Sequence, residues 1–513
     1  MTRVGPWAAG VLLLAGAACL RRPTADPGVL VVAVQSGPSS LDPRLATDDA
    51  SQKLHQLVFD NLLDLDDHLR IAPKLAARLE QPTPTTYLVT LKSGVRFHDG
   101  HELTSADVVY TFRSFLDPAF LSPRKGGYRE LAAVDPMGRY AVRFTLRRPF
   151  TSFPANLIMP ILPEGAGASV ARHPIGTGPY RFVRYAPDDR VELARFAGYY
   201  DGPPHNDGVI LKIVPDDVMR GLELRKGTTD IVVNDLTPDI VHQLAAQPRL
   251  RTVEAPGLDY QYLGLNLRDP ALGDVRVRQA LAHAIDTRAI IDYLRRGLAT
   301  PASGLLPPLS WAFAPNAFRF PYDPGRARAL LDAAGFPDPD GAGPAARLRL
   351  SLKISNTQEY NRLQAAVIQQ NLRAVGIDLD VRTYEFATLY ADVLKGAFQM
   401  VSLQWTAGSL GDPDILRRVF HSAQVPPAGF NRGYYSNPMV DALLDEAARA
   451  TDDSARAARF RHVQEILAQD VPYVSLWNKR NVVVAQRSLA GVHVSAAGDF
   501  AFLKDVTRVP EAR

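Results

Sequence analysis

Cysteine is the scarcest residue type in this 513-residue chain: there is one, Cys19. A single thiol closes no internal disulfide, so the fold must rest on its core, and a chain this long has two or three domains' worth of one. No sign of charge dominates either. There are 58 Lys and Arg against 54 Asp and Glu, a net of +4, and the surplus is dispersed. That excludes the clustered basic footprint of a nucleic-acid binder. After the N-terminus no apolar run reaches the ~18 residues of a membrane-spanning helix.

Reaction motifs are also missing. There is no complete phosphate-binding loop and no G-x-S-x-G elbow. Gly176-Thr177-Gly178 lacks the third glycine of a dinucleotide fingerprint. Ser122 and Lys125 satisfy S-x-x-K, but Pro123 interrupts the helical turn that motif needs, and Lys92-Ser93-Gly94 precedes it in the wrong order. His98 and His101 have helical spacing, yet His98-Asp99-Gly100 reads as a turn rather than a metal site. The expectation is a protein that is not an enzyme, with no cofactor and no metal.

What is present begins at the N-terminus. Arg3 precedes an apolar stretch, Trp7 to Ala18, that ends in small residues and is too short to span a bilayer. This is an export signal. Cys19 beside the cleavage region resembles a bacterial lipoprotein box, with the thiol as the lipidated residue. Gly16 departs from the aliphatic residue usual there, and ordinary cleavage after Ala17 or Ala18 is the alternative. Signal and anchor occupy 1–19 and a polar tether 20–28, placing the protein on the outer, periplasmic side of a membrane.

The remaining chain alternates strand and helix signals. Val29 to Val34 is an apolar, mostly β-branched run, and Ser36 to Pro43 a Gly/Pro/Ser loop. Helical spacing runs from Asp49 to Leu63. Tyr87 to Leu91 and Val95 to Phe97 alternate around Ser93-Gly94, which predicts a hairpin, and Thr104 or Ser105 opens a helix. A long amphipathic stretch covers Val275 to Leu298. Leu348 to Ile354, Asn361 to Val375 and Ile377 to Thr383 read strand, helix, strand, a parallel crossover unit. Two helices, Met439 to Ala450 and Ser454 to Gln469, precede strands at Val471 to Leu476 and Val482 to Ala485. If the chain enters a second lobe near Ala255 and returns near Lys479, two connections make one hinge axis.

Several segments, in order, resemble the bacterial extracellular solute-binding proteins of family 5, the peptide- and nickel-binding components of ABC importers. They are Ser40-Leu-Asp-Pro43, Val58-Phe-Asp-Asn-Leu-Leu63, Ala72-Pro-Lys-Leu-Ala76, and YLVTLKSGVRFHDGHELTSADVVYTF from Tyr87 to Phe112. Gly176-Thr-Gly-Pro-Tyr180, Val275 to Leu281, Ala329 to Gly335, Trp405 with Asp412-Pro413, and Asn431-Arg-Gly-Tyr434 follow. The resemblance implies an α/β, two-lobed periplasmic-binding-protein-like (type II) fold with an extra subdomain inserted in the N-terminal lobe. Lobe I would be 29–50, 161–259 and 480–513, the insertion 51–160, and lobe II 260–479. It implies a monomeric receptor that closes on a solute, an oligopeptide or dipeptide first, and delivers it to a permease driven by separate ATPase subunits. A sugar, an opine, a nickel chelate, or a peptide-presenting regulatory role are the alternatives.

A cleft ligand needs apolar contact and convergent polar groups. Aromatic residues at the expected crossings are the candidates: Tyr260 at the first, Trp477 at the second, Trp405 before the Gly-rich loop 407–411, and Tyr128 after Gly126-Gly127. Each is equally a core aromatic by composition. Asp49 is a further candidate, against an exposed helix start. In peptide-binding relatives an aspartate shortly after this tryptophan pairs with the peptide's ammonium. The corresponding position here is Gly408, which leaves Asp412 or Asp414 for that role.

Overall fold

The computed structural model describes residues 28–66, 68–341, 343–356, 359–406, 411–427 and 429–509. Cys19 and Gly408 lie outside the described residues, as do the signal and most of the tether. No described helix is long and apolar enough to cross a membrane.

One eleven-stranded sheet runs through both lobes. Two long strands, Leu250–Leu265 and Tyr473–Gln486, pair antiparallel along nearly their whole length and carry the sheet from one lobe to the other. At 16 and 14 residues each is far longer than the ~5–6 residues usual for a strand, so one end can lie in each lobe's core. Lobe I completes its half with Ile231–Val233, Val29–Val34, Gly208–Ile213, Arg190–Arg195 and Tyr180–Ala186. Lobe II adds Met400–Trp405, Leu348–Ser355 and Ile377–Tyr384, and Ala299–Pro301 flanks the returning strand. Leu348–Ser355 and Ile377–Tyr384 are parallel and joined by the Glu359–Arg373 helix, as the strand-helix-strand pattern predicts.

Separate cores fill the lobes. Leu30, Val32, Val209, Leu211 and Val483 pack with Phe500 and Leu503 in lobe I. Leu352, Ile354, Leu281, Ile368 and Trp477 pack on one face of lobe II, and Tyr262, Leu403, Phe420 and Phe460 on the other. The inserted subdomain has its own four-stranded sheet, built on Thr86–Leu91, and its own core of Phe97, Phe112, Phe144 and Leu157. The Asp49–Val58 helix buries Leu54, Leu57 and Val58 in the lobe I core, and the subdomain core begins at Leu62.

Three local differences from the sequence reading have simple causes. Val95 to Phe97 forms no hairpin with Tyr87 to Leu91. That strand instead pairs with Ala76–Thr83 and Ala141–Leu146, while Val95 and Phe97 are anchors of a buried loop. The amphipathic stretch after Val275 breaks at Ala284, because Asp286 accepts a hydrogen bond from the Ala289 amide (2.9 Å) and starts a new helical turn. The two strands expected at Val471 to Leu476 and Val482 to Ala485 are one strand. Its polar middle, Trp477-Asn-Lys-Arg-Asn481, is where it crosses between lobes.

Candidate functional site

Strand direction places the site. In lobe II the Met400–Trp405 strand runs antiparallel to the first hinge strand, and its last residue, Trp405, sits opposite Tyr260 at the crossing. Leu348–Ser355 is parallel to it. In lobe I, Ile231–Val233 runs antiparallel to the second hinge strand and ends opposite Val483, with Val29–Val34 parallel beside it. The carboxyl ends of parallel strands from both lobes therefore face the gap at the hinge, the position where open α/β sheets bind ligands.

The hinge strands are irregular there. Their register shifts between Pro256 and Tyr260, a bulge opposite Asn478 to Arg480. Gly257 sits inside it, so tightly that a Cβ would lie 2.2 Å from the Lys479 carbonyl oxygen. Charged groups from three directions converge on this point. Lys53, on the first helix of lobe I, is 6% exposed and pairs with Asp49 at 2.7 Å. Asp235 follows the Ile231–Val233 strand and accepts from the Gln35 amide at 3.0 Å. Asp259 lies in the bulge and accepts from Gln404 Nε2 at 2.8 Å. Lys479 lies on the second hinge strand. Its ammonium is disfavoured by burial first, with Asp259 and Asp235 opposing that effect and Arg295 and Lys53 adding to it.

A second set of contacts joins the lobes at the mouth of the gap. Ser152 of the inserted subdomain donates its hydroxyl to Asp412 Oδ1 (3.1 Å) and accepts from Arg456 Nη2 (3.1 Å), both in lobe II. Thr151 Oγ1 donates to the Ala448 carbonyl at 2.9 Å. On the hinge side Arg296 pairs with Asp239 at 2.8 Å. The Asp412 carboxyl is pushed up to about 6, by burial and then by neighbouring Asp414, whose own carboxylate is held by Arg417 at 2.7 Å.

The aromatic candidates are packed into lobe cores. Tyr260 is 1% exposed and its hydroxyl meets Ser475 Oγ at 2.7 Å. Trp477 fills the lobe II core. Tyr128 belongs to the subdomain core, stacked 4.2 Å from Phe115, with its hydroxyl donating to the Asn156 carbonyl. Trp405 contacts Phe430 edge-on at 5.4 Å and lies under the Arg432 guanidinium at 5.1 Å, but its buried Nε1 has no acceptor among the described residues. Asp49 is exposed and serves Lys53. Asp412 is the candidate that touches both lobes.

Sequence reasoning passed over Lys53, Lys479, Asp235, Asp259, Ser152 and Arg456. One signal was legible: the polar run from Asn478 to Asn481 interrupts an otherwise apolar segment. A cavity of about 120 Å³ also lies beside Tyr260, walled by the Pro301–Leu305 segment, Phe318, Gln464 and Tyr473. All its walls belong to lobe II, so closure of two lobes does not seal it.

The sequence matches the profile of bacterial extracellular solute-binding proteins, family 5, over residues 70–426. It is 30% identical over 488 residues to the glutathione-binding protein GsiB of Salmonella typhi, covering 92% of this chain and 93% of that protein. Among solved structures it superposes on DppA of Helicobacter pylori, in complex with the peptide STSA, with a TM-score of 0.78 at 27% identity, covering 94% of this chain and 98% of that one. AppA of Bacillus subtilis, in complex with a nonapeptide, gives a TM-score of 0.78 at 26% identity, with 94% and 99% covered. The chain belongs to the bacterial extracellular solute-binding proteins of family 5.

Proposed function

We propose that this protein is the exported receptor of an ABC importer that encloses a short peptide between its lobes and delivers it to a permease with separate ATPase subunits. The observation that carries this reading is the convergence of carboxyl strand ends from both lobes on one hinge, which gives ligand-driven closure a place to act. A ligand drives closure only by binding the closed form more tightly than the open one. The relatives named for glutathione and peptides make glutathione and di- to tetrapeptides the first solutes to test. We further propose that Cys19 carries a lipid that tethers a monomer to the membrane, and that the chemistry is binding alone, with no bond broken.

The lobe limits follow the same reading, 29–50, 161–259 and 480–513 against 260–479 with 51–160 inserted, except that the Asp49–Val58 helix packs in the lobe I core and moves the start of the insertion to about Leu62. The crossings at Pro256 to Tyr260 and Asn478 to Asn481 support them. Trp405 remains our aromatic ligand contact, supported by its indole N–H, which has no acceptor among the described residues. Gly408 and Asp412 stay as positions bearing on the peptide's amino end.

Thermal unfolding of the exported chain against a panel of these solutes tests the function. A solute that binds only the folded form adds about 2.7 kcal/mol at a hundred times its Kd, a rise of several degrees in Tm. A rise with peptides supports the peptide receptor. A rise only with sugars, opines or chelated nickel moves the protein to a different ligand class within the same family.

A further inference from the structure

The cavity beside Tyr260 is distinct from the gap between the lobes, in place and in chemistry. It measures about 120 Å³, and every residue lining it belongs to lobe II. Leu305, Leu416, Phe420, Leu467 and Phe320 make its wall largely apolar. The wall holds no Asp, Glu, Lys or His. Its one cation, Arg319, is exposed, as is the neighbouring Phe318 at 44%, and these two mark the side that meets solvent. A peptide, a free amino acid or a metal chelate would leave its charges unpaired in such a space, which burial penalises heavily.

One polar feature inside is open to a partner. The Gln464 amide is already engaged: Nε2 donates to the carbonyls of Ala312 (2.7 Å) and Phe460 (2.9 Å), and Oε1 accepts from the Ala314 amide (3.3 Å). Tyr260 and Ser475 both line the cavity, with their hydroxyls 2.7 Å apart. One of the two donates to the other. The accepting hydroxyl's own proton then meets no acceptor among the described residues, and the donating oxygen keeps its lone pairs. As for size, an engineered cavity of ~150 Å³ lined by Leu, Ile and Phe takes up benzene, so the space beside Tyr260 has room for one small ring.

We propose that this cavity is a second binding site, separate from the solute cleft, for a small neutral molecule with one ring-sized apolar body and a single hydroxyl, phenol being the simplest example. The ring packs against Phe420 and Leu467. The hydroxyl joins the Tyr260–Ser475 pair as its third member, accepting the free proton or donating to a free lone pair. Such an occupant touches both hinge strands, through Tyr260 on the first and through Ser475 and Leu476 on the second. No lobe I residue takes part, so binding there does not require closure.

Fluorine NMR of the purified exported chain tests this with three probes of similar size: 4-fluorophenol, fluorobenzene and 4-fluorobenzoate. 4-Fluorophenol should bind, fluorobenzene should bind about two- to tenfold more weakly, the range of one net neutral hydrogen bond, and 4-fluorobenzoate should not bind. Ala468→Leu, which puts a helix-compatible side chain into the cavity from the Asp453–Asp470 helix, should abolish binding of both neutral probes. Ser475→Ala should remove the preference for 4-fluorophenol and leave fluorobenzene as it was. A crystal soaked with 4-bromophenol locates the site even if Ala468→Leu does not fold, with the anomalous signal of bromine expected among Leu305, Phe420 and Leu467. No binding of 4-fluorophenol in solution, a bromine in the gap between the lobes, or benzoate binding as tightly as phenol would each overturn the proposal. So would wild-type affinity for 4-fluorophenol in a folded Ala468→Leu. Equal affinity of the wild type for 4-fluorophenol and fluorobenzene would overturn the contact with Tyr260 and Ser475.

Discussion

At the residue scale, burial sets opposite pH responses in the two lobes. Asp412 holds its proton up to about pH 6, because its carboxylate is desolvated and faces Asp414. Its pKa in the unfolded chain is near 3.9, so the folded state binds the proton more tightly and this group's contribution falls as pH rises from about 4 to 6. Asp412→Asn removes that penalty. Urea unfolding should show the variant equal to wild type near pH 4 and at least as stable at pH 7.5. His55 works the other way. It is 3% exposed, its Nε2 lies 3.2 Å from the Ser40 carbonyl, and burial pulls it down to about 4. The folded state keeps it neutral, so its contribution is full above the unfolded value of about 6.5 and is lost as pH falls toward 4. His55→Gln should flatten the acid limb of the stability curve over that window. Tyr128→Phe separates packing from binding: losing the hydroxyl that donates to Asn156 should cost about 1 kcal/mol of stability and leave solute affinity unchanged.

At the element scale, the two hinge strands and the Thr151–Ser152 contact divide the work of closure. Ser152 is 5% exposed and exchanges hydrogen bonds with Asp412 and Arg456 of the opposite lobe. Ser152→Ala should weaken solute binding about two- to tenfold by calorimetry, the value of a net hydrogen bond or two, because those contacts join the two lobes. The subdomain fold itself should be unaffected, since Ser152 contributes no hydrogen bond to its sheet. Gly257 makes the opposite case. A Cβ there would collide with the Lys479 backbone rather than a side chain that can turn aside. Gly257→Ala should therefore lower Tm by several degrees and impair closure, with the subdomain retaining its near-native signature.

On the scale of the whole molecule, closure is a rotation of one lobe against the other about two strands. Both strands belong to one continuous sheet, and the register shift between Pro256 and Tyr260 is where such a motion would be absorbed with the lobe cores intact. X-ray scattering should show a smaller radius of gyration on adding a solute that raises Tm. An unchanged radius with a raised Tm would mean that the solute binds within one lobe, for which the cavity beside Tyr260 is the place to look.

What the amino-acid order determined alone was the class, the punctuation and the family. Periodicity and caps located most helices and strands within a few residues, as with Val29–Val34 and Ile377–Tyr384, because local hydrogen bonding and face burial are written in short windows. The ordered motifs identified a two-lobed binding protein because they span nearly the whole chain. Tertiary structure decided which side chains face the gap. Aromatic residues read alike whether they fill a core or line a cleft, and the fold placed Tyr260, Trp477 and Tyr128 in cores. The groups at the hinge, Lys53, Asp235, Asp259, Arg295 and Lys479, come from three well-separated stretches of sequence, and no local pattern marks them as neighbours. Only the pairing of the two hinge strands, with a bulge in one and a polar run in the other, brings them to one point.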